Sequence, residues 1–147
     1  MLHGFLPSIL QGGLITLAVA LTSLMIAVLL GLAGAGMKLS RSRALRLLAG
    51  AYTTIIRGVP DMVLMLLIFY GGQTVVNALA AKVGYDGYVD VNPFIAGVLT
   101  IGFIFGAYLT ETFRGAIMAV PAGQREAGIA YGMSSSQVFV RVVFPQM

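Results

Sequence analysis

Cysteine and tryptophan are absent from this sequence, and histidine occurs once, at position 3. Without thiols there is no disulfide framework and no thiolate chemistry. A single histidine excludes a histidine metal cluster, and no Ser/His/Asp nucleophile set has partners to match, so His3 reads as a surface residue. Charge is scarce as well: 10% of residues are Asp, Glu, Lys or Arg, against roughly 25% in soluble domains. No Gly-X-X-X-X-Gly-Lys-Ser/Thr loop occurs, so nothing in the sequence is built to cradle ATP phosphates.

Apolar residues fill that space. They make up 59% of the 147 residues, and the mean hydropathy is +0.95. Three runs without a charge stand out, at 14–36, 62–81 and 91–110. Each reaches the about 20 residues that a helix needs to cross a hydrocarbon core. A soluble domain of this size could hardly hide three such runs. The first run is too long for a signal peptide, lacks a small-residue cleavage site and has no basic segment before it; it is expected to be a retained span.

The net charge of +4 does not describe a nucleic-acid binder, because the basic residues are not gathered on one face with interleaved aromatics. They sit where apolar runs end. Lys38, Arg41, Arg43 and Arg46 come after the first run with no acid among them, the asymmetry of a cytoplasmic loop. The sequence thus predicts an all-α, multi-span membrane protein with its N-terminus outside. It forms one transmembrane domain over 1–147 with spans at about 14–36, 50–81 and 91–113.

The second span has a complicated start. Arg57, Pro60 and Asp61 interrupt 47–62, so either a short interfacial helix precedes the span or one long helix bends at Pro60. The stretch 82–92, with Gly84, Asp86, Gly87 and Asp90, reads as an outside turn. Asn92-Pro93 reads as the cap and first turn of the third span. Three spans and then a cytoplasmic segment at about 121–145 are expected to be part of a longer, five-span chain.

That last segment carries the most information. Residues 124–131 read as a short helix stopped by Gly132, since glycine accepts the left-handed conformation that ends helices. Ser134 with Gln137 reads as a capping box opening a second short helix through Val138, Val142 and Val143. Two short helices meeting at a glycine, with small residues Ala127, Gly128 and Ala130 exposed, have the shape of a docking element. A rigid elbow of this kind could pass force between a membrane helix and a soluble partner.

The spacing Glu126-Ala127-Gly128-Ile129-Ala130-Tyr131-Gly132, with Pro145 thirteen residues on, resembles the EAA loop of ABC importer permeases. It departs at Gly128, where the family usually has alanine, and at Val142 and Phe144, where isoleucine and leucine are common. Arg57-Gly58-Val59-Pro60 resembles the Arg-Gly-X-Pro segment of polar amino-acid permeases. Tyr108-Leu109-Thr110-Glu111-Thr112-Phe113-Arg114-Gly115-Ala116, running into Val120-Pro121, resembles the stretch before their EAA loop. Within that family the chain is similar to the permeases for histidine, lysine, arginine and ornithine and to the opine permeases.

The resemblance implies a non-catalytic permease subunit of the bacterial inner membrane, carrying basic amino acids or opines. It implies that Glu126, Ala127, Gly128, Gly132 and Pro145 belong to the loop that docks on a cytoplasmic ABC ATPase dimer. ATP and Mg would be bound there and not in this chain. It further implies a sister permease subunit and a periplasmic amino-acid-binding protein. It assigns no substrate-binding residue.

Several features have plainer readings. Glu111 and Arg114, and likewise Arg57 and Asp61, are spaced to pair across one helical turn, either as interfacial anchors or as parts of a gate. Gly102 and Gly106, and Gly31, Gly34 and Gly36, suit close helix packing within the chain or between subunits. Met62 and Met65 read as packing filler. A secondary carrier or channel acting as a homo-oligomer is the rival reading, but the apolar runs lack the midspan ionisable residues that ion coupling uses.

Overall fold

A computed structural model of the protein describes residues 5–85 and 87–147; His3 and Asp86 lie outside the described residues. The described chain is helical, with no strand among the described residues. In order come α1 (Leu6–Leu39), α2 (Arg43–Gly58), α3 (Asp61–Lys82), α4 (Pro93–Ala119), α5 (Ala122–Ala130) and α6 (Ser135–Val138). A π-type turn (Phe139–Val143) and a 3-10 turn (Phe144–Gln146) complete the chain. By length and composition α1, α3 and α4 can each cross a membrane.

Two of these helices overrun the expected spans. The 34 residues of α1 reach about 51 Å at 1.5 Å per residue, well beyond a core of about 30 Å. It starts at Leu6 and α4 ends at Ala119, because helices do not stop where the apolar run stops. The second expected span, 50–81, is divided. Val59 (φ −115°, ψ 140°) and Pro60 (φ −55°, ψ 133°) are extended, since proline disfavours the helical region for the residue before it and offers no N–H itself. Residues 50–58 therefore belong to α2, and the membrane-crossing helix is Asp61–Lys82.

The core is the contact between α1 and α4. Gly102 meets Ile26, Gly106 meets Leu30, Gly31 meets Leu109 and Gly34 meets Thr110. Residue numbers rise together along both helices, so they run parallel, with α3 making the return crossing. A Cβ at Gly102 would stand 2.7 Å from the Ile26 Cγ2, one at Gly31 would stand 2.6 Å from the Leu109 Cβ, and one at Gly34 would overlap the Thr110 hydroxyl. These glycines pack within the chain. Gly36 differs, since a Cβ there would meet nothing within 4 Å.

Helix α2 lies against this pair through Ala49, Thr53 and Ile56, its buried residues. Their spacing of four and three marks one helical face. The Tyr52 hydroxyl donates to the Phe103 carbonyl at 2.5 Å, and Ile56 joins Leu64, Ile104 and Ala107 in a buried cluster. Met65 packs on that cluster, as expected of a filler, but Met62 is 77% exposed and fills nothing in the chain. Only Leu64 is buried on α3, against seven residues on α4. The bundle is therefore organised around α4, with α3 the most loosely held.

At the far end, Gly84 (φ 85°) closes α3, with its N–H on the Ala81 carbonyl and the Tyr85 N–H on the Ala80 carbonyl. The loop beyond is tied down by α3 side chains. Val89 N–H donates to Asn77 Oδ1 at 2.8 Å and Val91 N–H to Gln73 Oε1 at 2.9 Å. Asn92 caps α4 through the Phe94 N–H at 2.8 Å, with Pro93 in the first turn.

Replacing Gly34 or Gly102 by alanine should lower stability in detergent by about 1–3 kcal/mol through overpacking. Gly36→Ala should be neutral or gain up to about 1 kcal/mol of helix propensity. Unfolding titrations of the three variants check this ordering.

Candidate functional site

The sequence-predicted elbow begins where Val120 and Pro121 end α4. Val120 is 3% exposed and packs with Val138 and Val143, with Ile117, Met133 and Val142 around them. Ile117 belongs to α4, so this cluster fixes the elbow to the end of the membrane helix. Helix α5 then runs from Ala122 to Ala130, starting before and ending just short of the expected 124–131.

Gly132 has φ 81°, where any L side chain is strained. Its N–H donates to the Ile129 carbonyl at 2.9 Å, and the Met133 N–H to the Gly128 carbonyl at 3.1 Å. This is the paired pattern of a Schellman stop, which reverses the chain sharply and without slack. Ser134 and Gln137 form the capping box: the Ser134 N–H donates to Gln137 Oε1 at 2.9 Å and the Gln137 N–H to Ser134 Oγ at 3.4 Å. The second arm is shorter than expected as an α-helix, four residues only. It loosens into the π-type turn, where the Phe144 N–H reaches the Phe139 carbonyl. Pro145, which has no N–H to continue either register, sits exposed in the closing 3-10 turn.

Of the proposed docking residues, Glu126, Ala127 and Ala130 are exposed, as are Ile129 and, at 87%, Tyr131. Glu126 makes no ion pair among the described residues. Gly128 corrects the sequence reading. It is buried against the second arm, and a Cβ there would stand 3.0 Å from the Val138 Cγ2. Its smallness serves the closure of the elbow on itself and not the approach of a partner.

Glu111 and Arg114 do pair, Arg114 Nε to Glu111 Oε2 at 2.9 Å. No local spacing signals the third member. Lys38, at the end of α1, forms an ion pair with Glu111 Oε1 and donates to the Thr53 hydroxyl at 2.6 Å. Lys38 and Glu111 are only 16% and 19% exposed. The carboxylate thus ties α1, α2 and α4 together just before α4 leaves for the elbow.

Arg57 and Asp61 do not pair as spacing suggested, because the Val59-Pro60 break places them on different helices. Between them stands Tyr108 of α4. Its hydroxyl donates to Asp61 Oδ1 at 2.9 Å, and the Arg57 guanidinium lies 5.6 Å from its ring centroid. Among the described residues no group of three or more metal-ligating side chains occurs.

The family described as binding-protein-dependent transport system inner membrane component matches residues 23–147. The chain is 55% identical, over all 147 residues, to the histidine/lysine/arginine/ornithine transport system permease protein HisQ of Salmonella typhimurium, and spans 64% of that protein. It is 39% identical to the octopine transport system permease protein OccQ of Rhizobium radiobacter, covering 99% of this chain and 63% of that one. Among solved structures, an amino acid ABC transporter with histidines superposes with a TM-score of 0.67 at 32% identity, covering 97% of this chain and 64% of that one.

Glu111→Gln should cost about 2 kcal/mol, because it strands a largely buried lysine. Arg114→Gln, at the more exposed end of the cluster, should cost under about 1 kcal/mol. Thermal unfolding of both variants, with Lys38→Gln and the Lys38→Gln/Glu111→Gln pair closing a double-mutant cycle, measures the coupling.

Proposed function

The chain belongs to the family of binding-protein-dependent transport system inner membrane components, and from that membership we propose that it is a permease subunit of an ATP-driven amino-acid importer. Its cargo is basic amino acids or opines, in keeping with the relatives at 55% and 39% identity. It lines the translocation path together with a sister subunit. A periplasmic binding protein delivers the substrate, and a separate cytoplasmic ATPase dimer binds and hydrolyses ATP. The end of the bundle bearing Lys38, Arg41, Arg43 and Arg46 faces the cytoplasm of a bacterial cell.

The observation that carries this reading is the fixed elbow. Glu126, Ala127, Ile129 and Tyr131 present a surface to the ATPase, while Gly128 and Gly132 hold its shape. The Val120, Val138 and Val143 cluster makes the surface continuous with α4. Closure of the ATPase dimer pulls on the elbow, and a joint without slack delivers that displacement to the span.

Gly132→Val should distort the elbow at its left-handed residue and reduce both co-purification of the ATPase and amino-acid uptake at least about tenfold. Unchanged association together with unchanged uptake would remove the docking assignment. A second check uses a cysteine-free version of the whole permease in membranes lacking the ATPase, in which Tyr131→Cys should react with a membrane-impermeant maleimide in inverted vesicles and not in intact spheroplasts. The reverse pattern would place the elbow out of reach of any cytoplasmic ATPase.

A further inference from the structure

We propose that Arg57, Tyr108 and Asp61 form a subsite that binds the α-carboxylate and α-ammonium groups of the transported amino acid. The proposal rests on the importer reading and adds residues to it. In a continuous helix, positions 57 and 61 would stand one turn apart on the same face and neutralise each other. The extended residues Val59 and Pro60 prevent this. A cation and an anion are left close together and uncombined, near the end of the uncharged run of α4.

Each charge is stable without the other. Arg57 lies in the last turn of α2 and Asp61 in the first turn of α3, the helix ends that favour a cation and an anion respectively. Tyr108 donates one hydrogen bond to Asp61, leaving the second carboxylate oxygen open to donors. The guanidinium lies near the tyrosine ring, is exposed and makes no ion pair among the described residues. Its flat fork of N–H donors matches a carboxylate. A ligand with a positive and a negative group on one carbon satisfies both ends at once: ammonium on Asp61, carboxylate on Arg57. Asp61 opens a membrane-crossing helix and Tyr108 lies within another, and ionisable side chains within such spans mark substrate paths.

The test uses the assembled importer in nanodiscs without its binding protein, with tritiated arginine and with agmatine, which is arginine lacking the α-carboxylate. Arginine should bind about tenfold more weakly to the Asp61→Asn and Arg57→Gln complexes. Agmatine should bind the unmodified complex about tenfold more weakly than arginine does, with no further loss on Arg57→Gln. Equal affinity for agmatine and arginine in the unmodified complex would overturn the Arg57 assignment and needs no substitution that might harm folding. Unaltered arginine binding by both variants would overturn the subsite while leaving ATP-driven uptake, and so the importer reading, intact. If the unmodified complex neither binds nor imports any amino acid, the importer reading fails and the subsite fails with it.

Discussion

The close parallel contact of α1 and α4 is the constraint on which the other positions depend. Lipid tails are as apolar as leucine, so burial alone does not bring two membrane helices together; close packing between backbones does. Here each helix supplies glycines that receive large side chains of the other: Gly31 and Gly34 take Leu109 and Thr110, and Gly102 and Gly106 take Ile26 and Leu30. The short axial distance then decides what else fits. A Cβ at Gly106 would stand 2.9 Å from the Tyr52 hydroxyl, so the same glycine that admits α1 also admits α2. Lys38 reaches both Thr53 and Glu111 because the two helices stay close as far as the end of α1.

Features fixed within one or two helical turns were legible in the sequence. Gly132 stops α5 because only glycine rests easily at φ 81°, and Ser134 with Gln137 caps the second arm of the elbow. Asn92 and Pro93 open α4 for equally local reasons. The three membrane helices were legible because crossing lipid asks only for length and apolarity, though that same criterion hides where a helix ends in water. Contacts between distant segments were not legible. Lys38 and Glu111 are 73 positions apart, and Tyr108 and Asp61 are 47 apart. Gln73 and Asn77 carry no local signal of their role, which is to receive the loop at Val89 and Val91 as it folds back onto them. Arg57 and Asp61 were misread for a related reason, since i to i+4 pairing presumes a continuous helix.

Mechanically the chain divides into a firm part and a loose part. The elbow is fixed to α4 by Val120, Val138 and Val143. Helix α4 is fixed to α1 by the glycine contacts, and α2 joins both through Lys38, Thr53 and Tyr52. A displacement of the elbow therefore carries α1, α2 and α4 together, since packed interfaces transmit displacement in place of absorbing it. Helix α3 has one buried residue, Leu64, and is joined to this body at its start by the extended Val59-Pro60 link. Beyond that link α3 is the helix least buried against the rest of the bundle.

Such a link is costly in a membrane unless protein surrounds it, because Pro60 withdraws a donor and each unsatisfied backbone group in hydrocarbon costs several kcal/mol. Part of that cost is met by the backbone, since the Pro60 carbonyl accepts the Leu64 N–H at 3.1 Å, and Ile56, Leu64, Ile104 and Ala107, with Val59 and Tyr108, pack beside the link and separate it from lipid. A helix continued over the same residues would have bent at Pro60 and lost its N–H bond, but it would have kept most of the remaining backbone bonds and set Arg57 one turn from Asp61. The chain forgoes both terms, and the break instead lets Ile56 of α2 and Leu64 of α3 reach the same buried cluster with Ile104 and Ala107. Local structure that contradicts the simpler alternative is characteristic of functional positions, and here it yields two things that the unbroken helix cannot: a joint between α3 and the rest, and opposite charges held apart at that joint. A ligand that joined the charges would bridge α2 to α3 across the extended link and so tie the two helices together.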